Sequence, residues 1–256
     1  MKLVDSHLHL DAPEFDTDRE AVVERAIRAG VAAFVVPATD RRRWPRVRMT
    51  AERFTDTFPA YGLHPYFIDH HTTADLDALA RWLEREPAVA VGECGLDYYL
   101  PGLDRKTQQH YFEAQLELAR RHRLPVIIHA RKAADEVSKA IRRSGCERGV
   151  IHSFSGSLQQ ARRLIDLGFM LGFGGPVTYD RAKRLHRLIP ALPLGSILLE
   201  TDAPDQAVAG HRGERNEPAW LPEVLQTIAD LREEPIREVA AVTTANACKL
   251  FGLSPL

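Results

Sequence analysis

The sequence predicts a single (β/α)₈ barrel of the α/β class, and three observations carry that expectation. The chain has 256 residues, close to the usual size of such a barrel. Eight short β-rich runs alternate with amphipathic segments, the pattern of βαβ units around a parallel sheet. No Gly-x-Gly-x-x-Gly follows the first run, which disfavours an open dinucleotide-binding sheet.

The predicted strands are Leu3–Ser6, Ala33–Pro37, Ala60–Leu63, Val89–Gly92, Val126–Ile128, Gly149–Ile151, Phe169–Phe173 and Ile197–Leu199. Between them, apolar residues recur with helical spacing over Arg19–Ala29, Ala74–Arg85, Lys106–Arg123, Ala133–Arg143 and Leu158–Leu167. Several of these helices run into a glycine, at Gly30, Gly145 and Gly168, as helix C-termini commonly do. After the last strand comes an irregular stretch, Ala203–Asn216, and then helical sequence to Leu250. With no linker and no low-complexity segment, residues 1–256 read as one domain.

Composition narrows the function classes. The chain is 45% hydrophobic and 27% charged, with 34 basic against 35 acidic residues, which excludes disordered, collagen-like and coiled-coil proteins. A net charge of −1 speaks against nucleic-acid binding through the overall field. Six of the 34 basic residues are lysine and the rest arginine, scattered along helices among acids. Cys94, Cys146 and Cys248 lie far apart with no Cys-x-x-Cys, so they read as buried hydrophobes in a reducing compartment. The N-terminal run enters a strand without a signal-peptide pattern, and no stretch approaches 18 uninterrupted apolar residues. A cytoplasmic protein without membrane contact is expected.

The chemistry-bearing residues sit where the apolar runs end. His7 and His9 follow the first run, His64 the third and Glu93 the fourth; His129 closes the fifth, His152 the sixth and Asp202 the eighth. In a parallel barrel all these ends converge on one rim, where barrel active sites lie. A lone His-x-His decides nothing, but five of the 11 histidines with two acids on one rim form a set. His7 and His9, two apart on an extended chain, point to the same side. Imidazoles mixed with carboxylates suit Zn²⁺, Mn²⁺ or Co²⁺, and added waters and phosphate would admit Mg²⁺. A carboxylate can bridge, so these ligands can hold two ions.

The set His7/His9, Glu93 in GECGLD, His129 with Arg131, His152 in HSFSG and Asp202 in ETDAP resembles the TatD-like metal-dependent deoxyribonuclease family of the amidohydrolase superfamily. The resemblance spans Asp5 to the Asn246–Phe251 stretch. PATD at Pro37–Asp40, SGSLQQA at Ser155–Ala161 and ETDAPD look like its YjjV subgroup. It implies His7 and His9 on one divalent ion, His129 and His152 on a second, Glu93 bridging, and Asp202 as both a ligand and the general base. Two positions depart from the family pattern: Cys94 stands where an aliphatic is usual, and Ser153 where cysteine is common. Glu93, where a urease-like relative would carry a lysine, separates the chain from that branch.

A pair of divalent cations can acidify a water and stabilise entering and leaving oxygens in a displacement at phosphorus. The expected function is therefore hydrolysis of DNA phosphodiester bonds, from the 3′ end of single strands, by a monomer with no obligate protein partner. His64, Arg131, Arg215 and Asn216 are the expected substrate contacts. Two rivals are a hydrolase of a small ester, lactone or amide and a non-enzymatic metal-loaded binding protein. Gly172, Gly174 and Gly175 read as a tight turn under the rim in preference to a phosphate loop. The run Arg41–Arg43 with Trp44 reads either as a charged helix start with a packed Trp or as a basic ledge for stacking nucleotides.

Overall fold

The computed structural model describes residues 1–255, so Leu256, the last residue of the expected domain, lies outside the described residues. Eight parallel strands follow one another around a barrel in chain order. They are β1 (Leu3–Asp5), β2 (Val31–Pro37), β3 (Thr57–Tyr61), β4 (Ala90–Asp97), β5 (Val126–Arg131), β6 (Gly149–Ile151), β7 (Phe169–Phe173) and β8 (Ile197–Leu199). The seam between β1 and β8 is closed just beyond the strands, where Ser6 donates its N–H and its Oγ to Leu199 O (3.0 and 2.8 Å) and Asp202 N–H donates to His7 O (2.9 Å).

Helices alternate with the strands: α1 (Arg19–Arg28), α2 (Trp44–Arg53), α3 (Thr73–Leu83), α4 (Arg105–His122), α5 (Ala134–Ser144), α6 (Leu158–Asp166), α7 (Lys183–Leu188), α8 (Leu221–Arg232) and α9 (Ile236–Phe251). The five helices expected from periodicity end within two residues of the expected bounds. Gly30, Gly145 and Gly168 follow three of them with φ of +98°, +68° and +88°, the left-handed conformation that glycine adopts without a steric cost.

Alternation along each strand divides the apolar residues into two cores. Val4, Val35, Ala60, Ala90, Ile127, Val150 and Leu198 fill the barrel, and Ala247, Cys248, Leu250 and Phe251 of α9 pack against them. The opposite faces meet the helices in a larger core. Among the described residues no helix is long and apolar enough to cross a membrane.

Two strands differ from expectation where it matters. β4 and β5 do not stop at Gly92 and Ile128 but remain paired through Gly95–His129, Leu96–Ala130 and Asp97–Arg131. Glu93 and His129 therefore stand within strands, not at their ends. Glycine explains the extension: a Cβ at Gly95 would overlap His129 O, so only glycine lets β4 lie this close to β5.

Candidate metal centre

His7 and His9 lie on an extended stretch held from both sides. Leu8 N–H donates to Val35 O (3.2 Å), and His9 N–H donates to Ala203 O (2.7 Å). Leu8 turns into the core, so its two neighbours turn into the mouth. His9 places Nδ1 on Pro37 O at 3.2 Å, which leaves Nε2 for the site. His7 is wholly buried, and neither ring nitrogen has a hydrogen-bond partner. Burial first, then the His152 ring stacked on it at 4.0 Å, lowers the His7 pKa to about 3, so the ring is a neutral donor.

Glu93, 2% exposed, sits at the centre with its two oxygens facing different partners. Oε2 lies 3.4 Å from His7 Nε2 and 3.7 Å from His9 Nε2, and Asp202 Oδ1 lies 3.5 and 3.6 Å from the same two nitrogens. Oε1 lies 3.4 Å from His129 Nδ1 and 2.8 Å from His152 Nε2, which are themselves 3.3 Å apart. Burial alone would push the Glu93 carboxyl up, but the surrounding histidines outweigh it and hold it well below the usual range.

These atoms fit divalent cations. Donors about 2.1 Å from a tetrahedral ion lie about 3.4 Å from one another, close to the spacing in the His7, His9, Glu93 and Asp202 group. The Glu93, His129 and His152 group is of the same size and retains open sides. An unpartnered, fully buried His7 Nε2 costs free energy unless something accepts its lone pair, and an ion would do so.

His64 differs from the ligand set. Its Nδ1 accepts the Tyr66 N–H at 3.0 Å, so in the neutral ring the proton is on Nε2, which donates to Glu93 Oε1 at 3.1 Å. His64 is thus a hydrogen-bond donor at the mouth. Asp202 adopts φ +58°, a left-handed conformation that Asp tolerates better than most residues. Gln206 Nε2 holds its Oδ2, which turns Oδ1 toward His7 and His9. Burial raises the Asp202 pKa to about 6, with His152 and His9 opposing and Glu93 adding to the rise.

Three acids that sequence reading did not single out support the ligands. Asp97 Oδ2 lies 3.1 Å from His129 Nε2 and so directs His129 Nδ1 toward Glu93. Glu200 Oε1, 3.6 Å from His152 Nδ1, accepts the Ser153 N–H at 2.5 Å. Asp5 accepts from Thr201 N–H (3.0 Å) and Thr201 Oγ1 (2.5 Å), tying β1 to the segment that carries Asp202. Each lies two or four residues from a ligand: Asp5 before His7, Asp97 after Glu93, Glu200 before Asp202. In extended chain that spacing returns a side chain to the same face, and it is the signal that could have found them.

A cavity of about 780 Å³ opens over the cluster, lined by His9, His64, Glu93, His129, His152 and Asp202 among others. Arg131 also lines it, its guanidinium 3.8 Å over the exposed Tyr99 ring. Arg215 and Asn216, the other expected substrate contacts, do not line it. Arg215 is engaged by Asp18 (2.7 and 2.8 Å) and Glu217 (2.9 Å) and lies over the Phe15 ring. Asn216 is buried, its amide donating to Thr201 O (2.8 Å) and Asp205 O (2.6 Å) while its oxygen accepts the Glu217 N–H (2.9 Å). Both fasten the segment after β8: the Asn216 amide and the two terminal nitrogens of Arg215 are taken up by partners within the fold.

Most of the basic run after β2 is likewise engaged within the fold, Arg42 alone having no acidic partner among the described residues. Trp44 is 1% exposed and donates to Gly62 O at 3.0 Å, so it cannot stack on a nucleotide. Arg41 pairs with Asp75, and Arg43 with Asp11. Gly172 and Gly175 serve close packing: a Cβ at Gly172 would overlap Glu200 Oε2, and one at Gly175 would overlap Gln206 O.

A barrel with this cluster under its mouth is built as a metal-dependent hydrolase. The profile of the family described as "TatD related DNase" matches residues 4–252, and the chain belongs to that family. It is 42% identical over 255 residues to the uncharacterized metal-dependent hydrolase YjjV of Escherichia coli K12, covering 98% of both chains. It is 37% identical over 254 residues to the uncharacterized metal-dependent hydrolase YabD of Bacillus subtilis 168, covering 98% of this chain and 100% of that one. The crystal structure of the E. coli TatD homologue YjjV superposes with a TM-score of 0.96 at 41% identity, covering 98% of each chain.

Proposed function

We propose that this metal-dependent hydrolase cleaves phosphodiester bonds of DNA, releasing nucleotides from the 3′ end of single strands, as a cytoplasmic, single-domain monomer. The observation that carries the reading is the division of Glu93 between two ligand groups on the floor of an open cavity. The family's description as DNase-related supports the choice of substrate.

In this reading His7, His9, Glu93 and Asp202 hold one divalent cation, and Glu93, His129 and His152 hold a second, Mg²⁺, Mn²⁺ or Zn²⁺. Bound cations would supply Lewis acidity and lower the pKa of water. Asp202 takes the proton of the attacking water. With a carboxyl that burial raises only to about 6, Asp202 is mostly ionised at neutral pH and able to accept a proton. Arg131 presents its fixed positive charge to the phosphate oxygens, while His64 keeps its Nε2–H on Glu93 and borders the mouth beside them. Asp97 and Glu200 orient the rings of His129 and His152.

The test is nucleotide release from single-stranded DNA with Mg²⁺ or Mn²⁺, beside a panel of bis-p-nitrophenyl phosphate, lactones and carboxylic esters. Turnover of the phosphodiesters supports the reading. Turnover of lactones or esters alone overturns it.

A further inference from the structure

A second groove, of about 510 Å³, opens off the metal cavity on the β7 side. The two share Ser155, Pro176, Leu185 and Gln206, so a polymer with a phosphate at the metal centre can continue into the groove. Arg181 and Arg184 line the groove but not the cavity.

The segment 181–187 carries Arg181, Lys183, Arg184 and Arg187, all exposed. No carboxylate among the described residues lies within ion-pair distance of any of the four. The basic run after β2 is mostly neutralised: Arg41, Arg43, Arg46, Arg48 and Arg53 each have an acidic partner, and Arg42 alone has none among the described residues. Like-charged side chains left unpaired beside one another raise the local potential, whatever the net charge of the chain. The Arg181 guanidinium stands 5.0 Å over the Tyr179 ring, and the Tyr179 hydroxyl donates to Ala207 O at 2.9 Å, which fixes the ring. A fixed aromatic beside free guanidinium groups suits a nucleotide, whose base stacks and whose phosphate pairs.

Resting on the phosphodiesterase reading above, we propose that Arg181 and Arg184 bind the phosphate backbone of a single-stranded nucleic acid next to the scissile bond, with Tyr179 as its stacking surface. Lys183 and Arg187, four apart on α7, lie outside the groove and provide a control of equal charge.

The experiment measures binding of a fluorescent, cleavage-resistant phosphorothioate thymidylate dodecamer to metal-loaded protein with Asp202 intact, across a salt series. Adding Arg181→Ala with Arg184→Ala should weaken binding about tenfold near physiological salt and reduce the slope of log K against log salt by about 1.4, the value for two phosphate contacts. Lys183→Ala with Arg187→Ala should change affinity less than about twofold. In otherwise wild-type protein, the Arg181/Arg184 pair should lower kcat/KM for the unmodified dodecamer at least about fivefold more than for bis-p-nitrophenyl phosphate.

Equal losses from both pairs, no loss from either, no dodecamer binding, or equally tight binding of polyglutamate would overturn the proposal. Groove-dependent binding with an unmodified dodecamer that is never cut would sink the nuclease reading and leave the groove standing. Cutting that is indifferent to Arg181 and Arg184 would do the reverse.

Discussion

At the metal centre His7 buries two ring nitrogens with no hydrogen-bond partner, whereas in the segment after β8 both terminal nitrogens of Arg215 are bonded, to Asp18, Glu217 and the Glu14 carbonyl. Both clusters are rich in charge and both hold the segment after β8 in place. They differ in what is left over. The first keeps donor atoms directed at shared empty space, at a cost that only a ligand relieves. The second spends the terminal nitrogens of its arginine on partners within the fold and has the properties of a fastening. Buried donor atoms that converge on one space, more than charge, separate the candidate binding site from a structural contact here.

Mutation of the first cluster should have the largest effects. His7→Ala and Asp202→Asn should each reduce phosphodiester turnover by about 10³-fold or more, with far-ultraviolet circular dichroism unchanged. Full activity in either variant would break the comparison, because the unsatisfied atoms would then have no catalytic consequence. One layer out, Asp97→Asn and Glu200→Gln should lower metal affinity by about 10- to 100-fold, the usual effect of losing a carboxylate behind a ligating histidine. Titration with a chromophoric chelator measures this.

Arg215 sharpens the comparison from the other side. Arg215→Ala should lower stability by at most about 1 kcal/mol, since its partners are partly exposed, and should leave kcat/KM for a small phosphodiester within about twofold. A large loss of activity with unchanged stability would return Arg215 to the substrate contacts. The smallest effect concerns acid stability. The Arg215 hydrogen bonds first, then those of Arg25, hold the Asp18 pKa near 2 against burial. The folded value lies below the unfolded one of about 3.9. This contribution is therefore complete above pH 4 and is lost as pH falls toward 2. Because Asp18 is about one-third exposed, screening keeps it well under 1 kcal/mol. Denaturation midpoints of wild type and Arg215→Ala should converge over that range.

The barrel was legible because its signals are local. Eight apolar runs, helix periodicity and glycine C-caps need only neighbouring residues. That His7, His9, Glu93, His129, His152 and Asp202 come together was legible for a related reason: in a parallel barrel the C-terminal halves of the strands and the segments after them converge on one side, whatever the exact strand ends. The extension of β4 through Asp97 was not, because it depends on Gly95 meeting His129 across the sheet. Arg215 and Asn216 misled for the same reason. Asp18, which engages both terminal nitrogens of Arg215, is 197 residues away. Which cations remain free was not legible either: Arg41 and Arg43 pair with Asp75 and Asp11 on other elements, whereas Arg181 and Arg184 have no acidic partner among the described residues.

On the proposed reading, Glu93 joins two ligand groups into one binuclear centre. Elemental analysis of protein reconstituted with Mn²⁺ or Zn²⁺ and passed through a desalting column tests it directly, comparing wild type with Glu93→Gln. The account predicts about two equivalents of divalent ion per wild-type chain and fewer than about one in the variant, because a neutral amide bridges poorly. Wild-type protein that retains none, or a variant that retains both, would contradict it.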